Sequence, residues 1–459
     1  MATEHLSPLD LAFWRIESSG HPMHLGALAV FTADRPGAAA RAAAQLTARC
    51  AGVPRLRHRI QDVLLPVGAA AWVPDPDFDP SRHVFLAPGN GPGPHEAAGA
   101  LMARPLDRER PPWAAHVLPG PGGPDDGSFA VLFKFHHALA DGLGALALAA
   151  ALFDGPADGG PGAGGPGGAV PRTRRRSASA AAERDRPLLT RLPGVLAARV
   201  QDLGQALEIG AAVARAGLPF GVPDGLTSTG ADPGRRAVAG ATLGLEQVNR
   251  IRRAAGGTVN DVLITLVAGG LRRWLEARGE RLDGSGTRAL VPVSRRRRAG
   301  RAADGNRLSG YLVSLPLAEP DPLARLDAVR AEMDRNKEAG PNRGAGAVAL
   351  LADHVHPLGH RLGGPLVARA AQLLFDILVT SVPLPGLAFT LAGSALREVY
   401  PLAPLACGQS LAVAVSTYRD AVHFGLVADA ASVPDLADLA SALHAELDAL
   451  LAAATEPAR

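Results

Sequence analysis

Short runs of branched and aromatic residues alternate with longer runs of alanine and leucine along the chain. Residues 129–135, FAVLFKF, predict a buried strand that ends at two histidines. The run GLGALALAAALF follows, and its composition predicts a helix that begins near Asp141 and Gly142. Residues 136–141 are therefore expected at the end of a strand and in the loop behind it.

The second half of the sequence has the same mixed character. The run TVNDVLITLVAGGLRRWLEARG predicts a mostly buried helix that starts at Thr258 or Asn260 and stops at Gly279. LAVAVSTY and AVHFGLV flank a two-residue turn and predict a β-hairpin, after which a final Ala/Leu helix follows Pro434. Strands and helices mix without the regular alternation of a doubly wound fold.

The Gly/Pro/Arg-rich segment 154–186 divides the sequence, because it contains little that could enter a core. A length of 459 residues fits two or three domains, and 47% hydrophobic with 20% charged residues excludes a wholly disordered chain. We therefore expect an N-terminal domain at 1–153, a linker with a connecting helix at 154–234, and a C-terminal domain at 235–459.

Charge and targeting signals point to the cytoplasm. The net charge of +3 does not demand nucleic acid as a partner. Cys50 and Cys407 form no CxxC pair or disulfide framework, which fits a reducing compartment. The first residues lack the features of a secretory signal, and the longest apolar runs are shorter than the roughly 18 residues of a membrane-spanning helix.

The densest group of chemically capable residues is HHxxxDG, formed by His136, His137, Asp141 and Gly142. A histidine at a strand end can accept a proton near neutral pH if a hydroxyl substrate reaches its free ring nitrogen. An acid four residues later can hold the loop rigid through a basic partner. The motif predicts general-base chemistry, while a histidine pair that merely caps the strand is the alternative.

Other chemistries have weaker support. A metal site would need further ligands, and the upstream His95 and His116 match no compact ligand set, so no metal is expected. GLGALA at 142–147 resembles a dinucleotide fingerprint, but no second strand with an acidic end follows. GQSLA at 408–412 approaches the nucleophile elbow of a serine hydrolase, without its second glycine and before a strand rather than a helix. That alternative would use the three residues Ser410, Asp429 and His444.

HHxxxDG is the signature of acyltransferases and condensation domains related to chloramphenicol acetyltransferase, and the resemblance extends over nearly the whole chain outside the linker. The sequence resembles the bacterial wax ester synthase/diacylglycerol acyltransferase family in five further segments. They are LSPLDLAFWRIESSGHPMHLGALAVF at 6–31, RPLDRERPPW at 104–113, TVNDV at 258–262, GNRLSGYLVSLP at 305–316, and YPLAPLACGQSLAVAVSTYRDAVHFGLVAD at 400–429.

This resemblance implies an α/β fold of two chloramphenicol-acetyltransferase-like domains, with mixed sheets flanked by helices and a tunnel between the domains. It implies His137 as the general base, supported by His136, with Asp141 organising the loop through a pair with Arg296. It also implies substrate-binding or structural roles for a second set of residues: Gly142, Asn260, Asp261, Arg296 and Ser309. An alternative for Asn260 is a helix N-cap.

The sequence departs from the family pattern at two places. The usual Asn-Val-Pro-Gly-Pro loop is replaced by Ser381, Val382, Pro383, Leu384 and Pro385, and the usual Pro-Leu-Trp by Pro111, Pro112 and Trp113. Loss of the glycine removes easy access to positive φ, and loss of the asparagine removes an amide hydrogen bond. An altered pocket shape is expected.

The implied activity is transfer of an acyl group from acyl-CoA to diacylglycerol, giving triacylglycerol, with wax esters from long-chain alcohols as a second product. Acyl-CoA is then a co-substrate, and no resident cofactor is expected. Two alternatives stay open: another HHxxxDG acyltransferase of the polyketide-associated or condensation type, and a non-catalytic relative that binds lipid surfaces.

A lipid acceptor implies a cytoplasmic protein held peripherally on the inner face of the membrane or on lipid droplets. Two arginine clusters, Arg172 with residues 174–176 and residues 295–298, are solvated charge in the simplest interpretation. The first could instead attract anionic lipid headgroups. No interleaved aromatics support nucleic acid.

Overall fold

A computed structural model describes most of the chain. The described residues are 4–32, 35–122, 127–140, 142–154, 222–230, 234–282, 286–294, 308–339, 375–384 and 388–455. Most of the predicted linker lies outside these residues, as do Asp141, Arg296 and the arginines of both clusters.

Helices and strands are interspersed throughout the described chain. The helices are α1 (Pro8–Ile16), α2 (Ala38–Cys50), α3 (Pro94–Ala103), α4 (Gly142–Leu152), α5 (Leu245–Ala255), α6 (Val259–Ala277), α7 (Pro322–Ala339) and α8 (Leu436–Thr455). The strands are β1 (Glu4–His5), β2 (His24–Thr32), β3 (His58–Asp62), β4 (Ala70–Pro74), β5 (Val84–Leu86), β6 (Trp113–Pro119), β7 (Ser128–His136), β8 (Arg236–Gly244), β9 (Arg288–Ser294), β10 (Leu308–Ser314), β11 (Ile377–Pro383), β12 (Thr390–Leu391), β13 (Ser394–Leu402), β14 (Leu411–Tyr418) and β15 (Ala421–Asp429).

The strands form two six-stranded sheets and one small sheet. The first large sheet has the order β12-β13-β2-β7-β6-β5, the second has the order β10-β9-β11-β14-β15-β8, and the small sheet is β1-β4-β3. The first sheet is antiparallel except for the β5–β6 pair, and β11 pairs in parallel with both β9 and β14 in the second. The mixed α/β class predicted from sequence is therefore confirmed.

The first sheet combines strands that are distant in sequence. β2 pairs antiparallel with β7 over its whole length, which places His24 opposite His136. On its other side β2 pairs with β13, from Ala395 opposite Thr32 to Leu402 opposite Gly26. A strand from late in the chain thus completes the sheet that carries the histidine pair.

The two large sheets also pack against each other. One apolar cluster joins Leu28 and Leu132 of the first sheet to Ala412 and Val427 of the second. The contact is close enough that a Cβ added to Gly425 would lie 1.9 Å from the main-chain oxygen of Pro401. A second cluster buries α6 between the second sheet and α8.

The local predictions are largely confirmed. The strand at 129–135, the helix from Gly142, the hairpin of β14 and β15, and the C-terminal helix are all present. Thr258, rather than Asn260, is the N-cap of α6, so the N-cap alternative for Asn260 is wrong. Ser381, Val382 and Pro383 lie in β11 instead of a loop, since they pair with β14.

Within the described ranges, no single helix combines the length and apolarity needed to cross a membrane. α5 and α6 together are long and apolar enough, but the chain bends by 104° between them.

Candidate active site

His136 and His137 are neighbours with different environments at the end of β7. The His136 side chain is 1% exposed, whereas His137 is half-buried and begins the turn that follows the strand. Consecutive side chains of a strand point to opposite faces, so at its end one imidazole can be enclosed while the next is partly exposed.

Two hydrogen bonds with the main chain hold His136 in place, one at its backbone N–H and one at its ring. Its N–H donates to the Pro112 oxygen at 2.9 Å, and its ring Nδ1 accepts the N–H of Ala138 at 3.0 Å. Burial, the main cause, lowers the pKa of His136 to about 3, so the ring is neutral. An accepting Nδ1 on a neutral ring places the ring proton on Nε2. The ring therefore braces the turn that holds His137.

His137 is held by its backbone and by ring stacking. Its N–H donates to the Met23 oxygen at 2.9 Å. Its ring stacks on Phe13 of α1, with centroids 4.0 Å apart and planes 25° apart. This arrangement orients a half-exposed imidazole, which is the geometry that a general base requires.

A buried carboxylate lies behind the histidine pair. Glu17, the C-cap of α1, is 11% exposed and accepts the N–H of Met23 at 3.1 Å. Its two oxygens lie 3.2 Å from Nε2 of His24 and 3.8 Å from Nε2 of His136. Burial alone would raise the pKa of Glu17, but these two histidines and the Met23 N–H hold it below its ordinary value. A negative charge at this position favours positive charge nearby.

The indole of Trp14 covers the same cluster. Its ring meets His136 edge-on at 5.0 Å, and the Arg108 guanidinium lies 3.8 Å above the indole. Arg108 also donates to the Trp14 oxygen at 2.7 Å. Phe13, Trp14 and Glu17 together make the end of α1 one wall of the site.

A basic cavity of about 220 Å³ adjoins the strand that carries His136. Lys134 is buried in its wall and donates to the oxygens of Leu101 and Arg104. Burial and then the charge of Arg104 lower the pKa of Lys134 to about 8. The cavity is lined by Arg82, His83, Phe85, Leu101, Arg104, Pro105, Leu106, Asp107, Arg110, Pro111, Trp113, Ala114, His116 and Lys134. Four of these side chains are basic and one is acidic, so the excess of positive charge can accommodate an anionic group.

The sequence matches a known family over most of its length. Residues 6–263 match the wax ester synthase/diacylglycerol acyltransferase catalytic domain, and residues 304–451 match the C-terminal domain of the same family. The chain belongs to the wax ester synthase/diacylglycerol acyltransferase family. The resemblance found in the sequence is therefore confirmed, and the protein is an acyltransferase.

Two mycobacterial members of the family are similar over almost their full length. The probable diacylglycerol O-acyltransferase tgs1 of Mycobacterium tuberculosis is 31% identical over 467 residues, covering 98% of this chain and 96% of that protein. The probable diacylglycerol O-acyltransferase tgs2 of the same species is 30% identical, covering 96% of this chain and 97% of that protein.

Solved structures show the same fold. The wax ester synthase/diacylglycerol acyltransferase from Marinobacter aquaeolei VT8 superimposes with a TM-score of 0.69 at 24% identity, over 98% of this chain and 100% of that one. The starter condensation domain of rhizomide synthetase, in complex with C8-CoA, superimposes with a TM-score of 0.53 at 16% identity, over 99% of this chain and 95% of that one. The expected relation to condensation-type folds is thereby confirmed.

The remaining candidate residues of this family member lie at separate places. Gly142 is the first residue of α4, and Ser309 pairs with Val293 between β10 and β9. Asp261 is 2% exposed and accepts the Thr258 N–H at 2.8 Å, within the capping box that starts α6. Asn260 is half-buried in the same turn. The implied pair of Asp141 and Arg296 lies outside the described residues.

The alternative chemistries find no support in the described part of the chain. Ser410 donates to the Gly225 oxygen, Asp429 accepts from Ser228, and His444 contacts the oxygens of Ala440 and Thr242, so they form no triad. Among the described residues, no group of three or more His, Cys, Asp or Glu side chains is arranged so that it could hold a metal ion.

Sequence reasoning missed Glu17, His24 and Phe13 as parts of the site, although all three lie in the segment quoted for the family resemblance. Phe13 and Glu17 are four residues apart and so share one helical face, which was the available signal. Their contacts with His137 and His136 join positions more than a hundred residues apart, and the sequence pattern does not specify such contacts.

Proposed function

We propose that the protein transfers a fatty acyl group from acyl-CoA to the free hydroxyl of diacylglycerol and so makes triacylglycerol, and that long-chain alcohols serve as second acceptors to give wax esters. The half-buried His137, stacked on Phe13 and backed by a buried neutral His136, is the observation that carries the proposal. The names of the mycobacterial relatives support diacylglycerol as the acceptor.

In the proposed reaction, a ring nitrogen of His137 takes the proton of the acceptor hydroxyl as the hydroxyl oxygen attacks the thioester carbonyl. The tetrahedral intermediate then collapses, the carbon–sulfur bond breaks, and the proton passes from His137 to the CoA thiolate. The products are an ester and free CoA. This sequence uses no covalent enzyme intermediate, metal or resident cofactor.

Several contacts support this assignment of roles. Glu17 sets a negative charge behind the pair, which favours the imidazolium that His137 becomes during the reaction. The basic cavity next to β7 provides positive potential that suits the phosphates of CoA. A water-insoluble acceptor further implies that the protein works at a membrane or lipid-droplet surface.

The test is release of free CoA from palmitoyl-CoA by the purified protein, with diacylglycerol, a long-chain alcohol or an amine as acceptor. We expect release with the two hydroxyl acceptors and a drop of about 10²- to 10⁴-fold in His137→Ala, because that is the usual contribution of a general base. The melting temperature should stay close to that of the wild type, since His137 is half-buried.

The other outcomes identify the alternatives. Release with the amine alone would indicate a condensation-type enzyme, and no release with any acceptor would indicate a lipid-binding relative without activity. Near-normal release by folded His137→Ala would remove His137 from its assigned role.

A further inference from the structure

The loop between β3 and β4 presents three aliphatic side chains to solvent. Leu64 is 89% exposed, Leu65 is 72% exposed and Val67 is 49% exposed. We call residues 64–67 the apolar loop. Leu64 and Leu65 are the two most exposed large hydrophobic side chains in the described part of the chain, and soluble proteins seldom cluster such side chains at one tip without a binding role.

Backbone hydrogen bonds fix the conformation of the apolar loop. Val63 donates to the Ala69 oxygen at 3.1 Å, and Ala69 donates to the Pro66 oxygen at 3.0 Å. Gly68 closes the turn at φ 87°, a conformation that favours glycine. The loop therefore displays its leucines from a fixed base.

The base of the loop is tied to the helix that contacts His137. Arg15 of α1 makes two hydrogen bonds to the Asp62 carboxylate, at 2.8 and 3.2 Å, and one to the Gly68 oxygen at 3.1 Å. These contacts hold both ends of the loop, because Asp62 precedes it and Gly68 follows it. Phe13, two residues earlier on α1, stacks on the His137 ring. The apolar loop and the candidate base are thus positioned by one helix.

The chemistry of the loop fits lipid better than protein. The charges around its base are paired, Arg15 with Asp62 and Arg59 with Glu109, so the tip offers neither net charge nor polar contacts. Three side chains expose far less surface area than the roughly 800 Å² that each partner buries in a stable protein interface. A convex aliphatic tip can instead enter the boundary between headgroups and acyl chains.

We propose that the apolar loop inserts into a lipid surface and docks the protein there, with the His137 side of α1 held close to that surface. This inference rests on the proposed function for its choice of a lipid acceptor. Because the contact is aliphatic, binding persists at high salt and on uncharged lipid, unlike attraction through Arg172 and its neighbours.

The experiment is flotation of the full-length protein with vesicles of phosphatidylcholine and diacylglycerol, at low and high salt. The variant Leu64→Ser/Leu65→Ser/Val67→Ser should reduce the floated fraction by about tenfold or more, because each buried leucine strengthens membrane binding by about tenfold. Leu86→Ser, which changes a leucine that is 51% exposed on β5, is the matched control and should float like the wild type.

A second measurement does not depend on loss of binding. Tryptophan introduced by Leu65→Trp should be quenched by brominated phosphatidylcholine, while Leu86→Trp should not. Wild-type flotation by the triple variant, equal loss in Leu86→Ser, or absence of quenching at position 65 would each overturn the proposal.

Turnover of a soluble short-chain alcohol separates this inference from the proposed function. The triple variant should keep that turnover and lose turnover of vesicle-borne diacylglycerol. If the wild type turns over neither acceptor, the proposed function fails, and flotation still decides the role of the loop.

Discussion

At the scale of single residues, the candidate site places two adjacent histidines in different environments. His136 is enclosed, neutral and hydrogen-bonded to the next turn, while His137 is half-exposed. The HHxxxDG spacing singled out this pair, because the motif is contiguous in sequence, and its general-base chemistry stays a prediction. It did not predict Glu17, since that contact depends on how α1 packs against β7.

Removal of the Glu17 carboxylate should destabilise the protein. Glu17→Ala leaves the Met23 N–H without its acceptor, and an unsatisfied buried donor costs about 1 to 3 kcal/mol of the free energy of unfolding. Glu17→Gln retains an acceptor oxygen and should lose less. Urea unfolding of the two variants measures the difference, and equal stability of alanine and glutamine variants would contradict the role assigned to this hydrogen bond.

The buried His136 should make stability depend on pH. The folded protein keeps His136 neutral down to a pKa of about 3, whereas the unfolded chain binds a proton near the ordinary histidine pKa of about 6.5. The unfolded state therefore holds more protons in this window. The free energy of unfolding should fall as pH drops from about 6.5 towards 3, by up to about 1.4 kcal/mol per pH unit from this residue.

His136→Asn tests the assignment, because an amide oxygen can replace the Nδ1 acceptor without titrating. Unfolding in urea at a series of pH values should give a shallower slope for the variant than for the wild type. Identical slopes would mean that His136 is not held neutral.

At the scale of elements, most helices and strands follow from local signals. α6 illustrates this, since Thr258 and Asp261 form a reciprocal capping box and the apolar run continues to Leu275. Choosing between Thr258 and Asn260 as the N-cap needed the structure, because both residue types favour that position. The strand at Ser381 was missed because residues 381–385 were assigned to a loop by comparison with the family pattern, whereas Ser381, Val382 and Pro383 pair in parallel with β14.

Loss of the N-cap should weaken α6 measurably. Thr258→Ala removes the side-chain acceptor for the Asp261 N–H and should cost about 1 kcal/mol, a few degrees in melting temperature. Asn260→Ala, in the same turn but outside the cap, should change stability by less than about 0.5 kcal/mol. Thermal unfolding compares them, and a larger effect at Asn260 would place the helix start elsewhere.

At the scale of the whole molecule, the two large sheets pack on a common core, and the first sheet takes strands from both halves of the chain. The hydrophobic pattern predicted that strands and helices mix, and the sequence resemblance implied mixed sheets in two domains. Neither indicated that β13 completes the sheet of β2 and β7. Strand partners separated by hundreds of residues are chosen by packing, which hydrophobic patterning does not encode.

Because the sheets pack closely, adding one methyl group at Gly425 should strongly destabilise the protein. Gly425→Ala would place its Cβ 1.9 Å from the Pro401 oxygen, so β13 and β15 would have to separate. We expect a loss of about 3 kcal/mol or more, at the upper end of overpacking effects, or failure to yield folded protein. Gly234→Ala, which meets nothing within 4 Å, is the control. Similar melting temperatures for the two variants would contradict this packing.

The late arrival of β13 also sets an order of events during synthesis. Until residue 402 leaves the ribosome, one edge of β2 has no partner and exposes a row of unpaired backbone groups. Such an edge is a template for pairing with other nascent chains. Translation that ends between β7 and β13 should therefore release aggregation-prone fragments, and the first sheet can close only after nearly nine-tenths of the protein has been made.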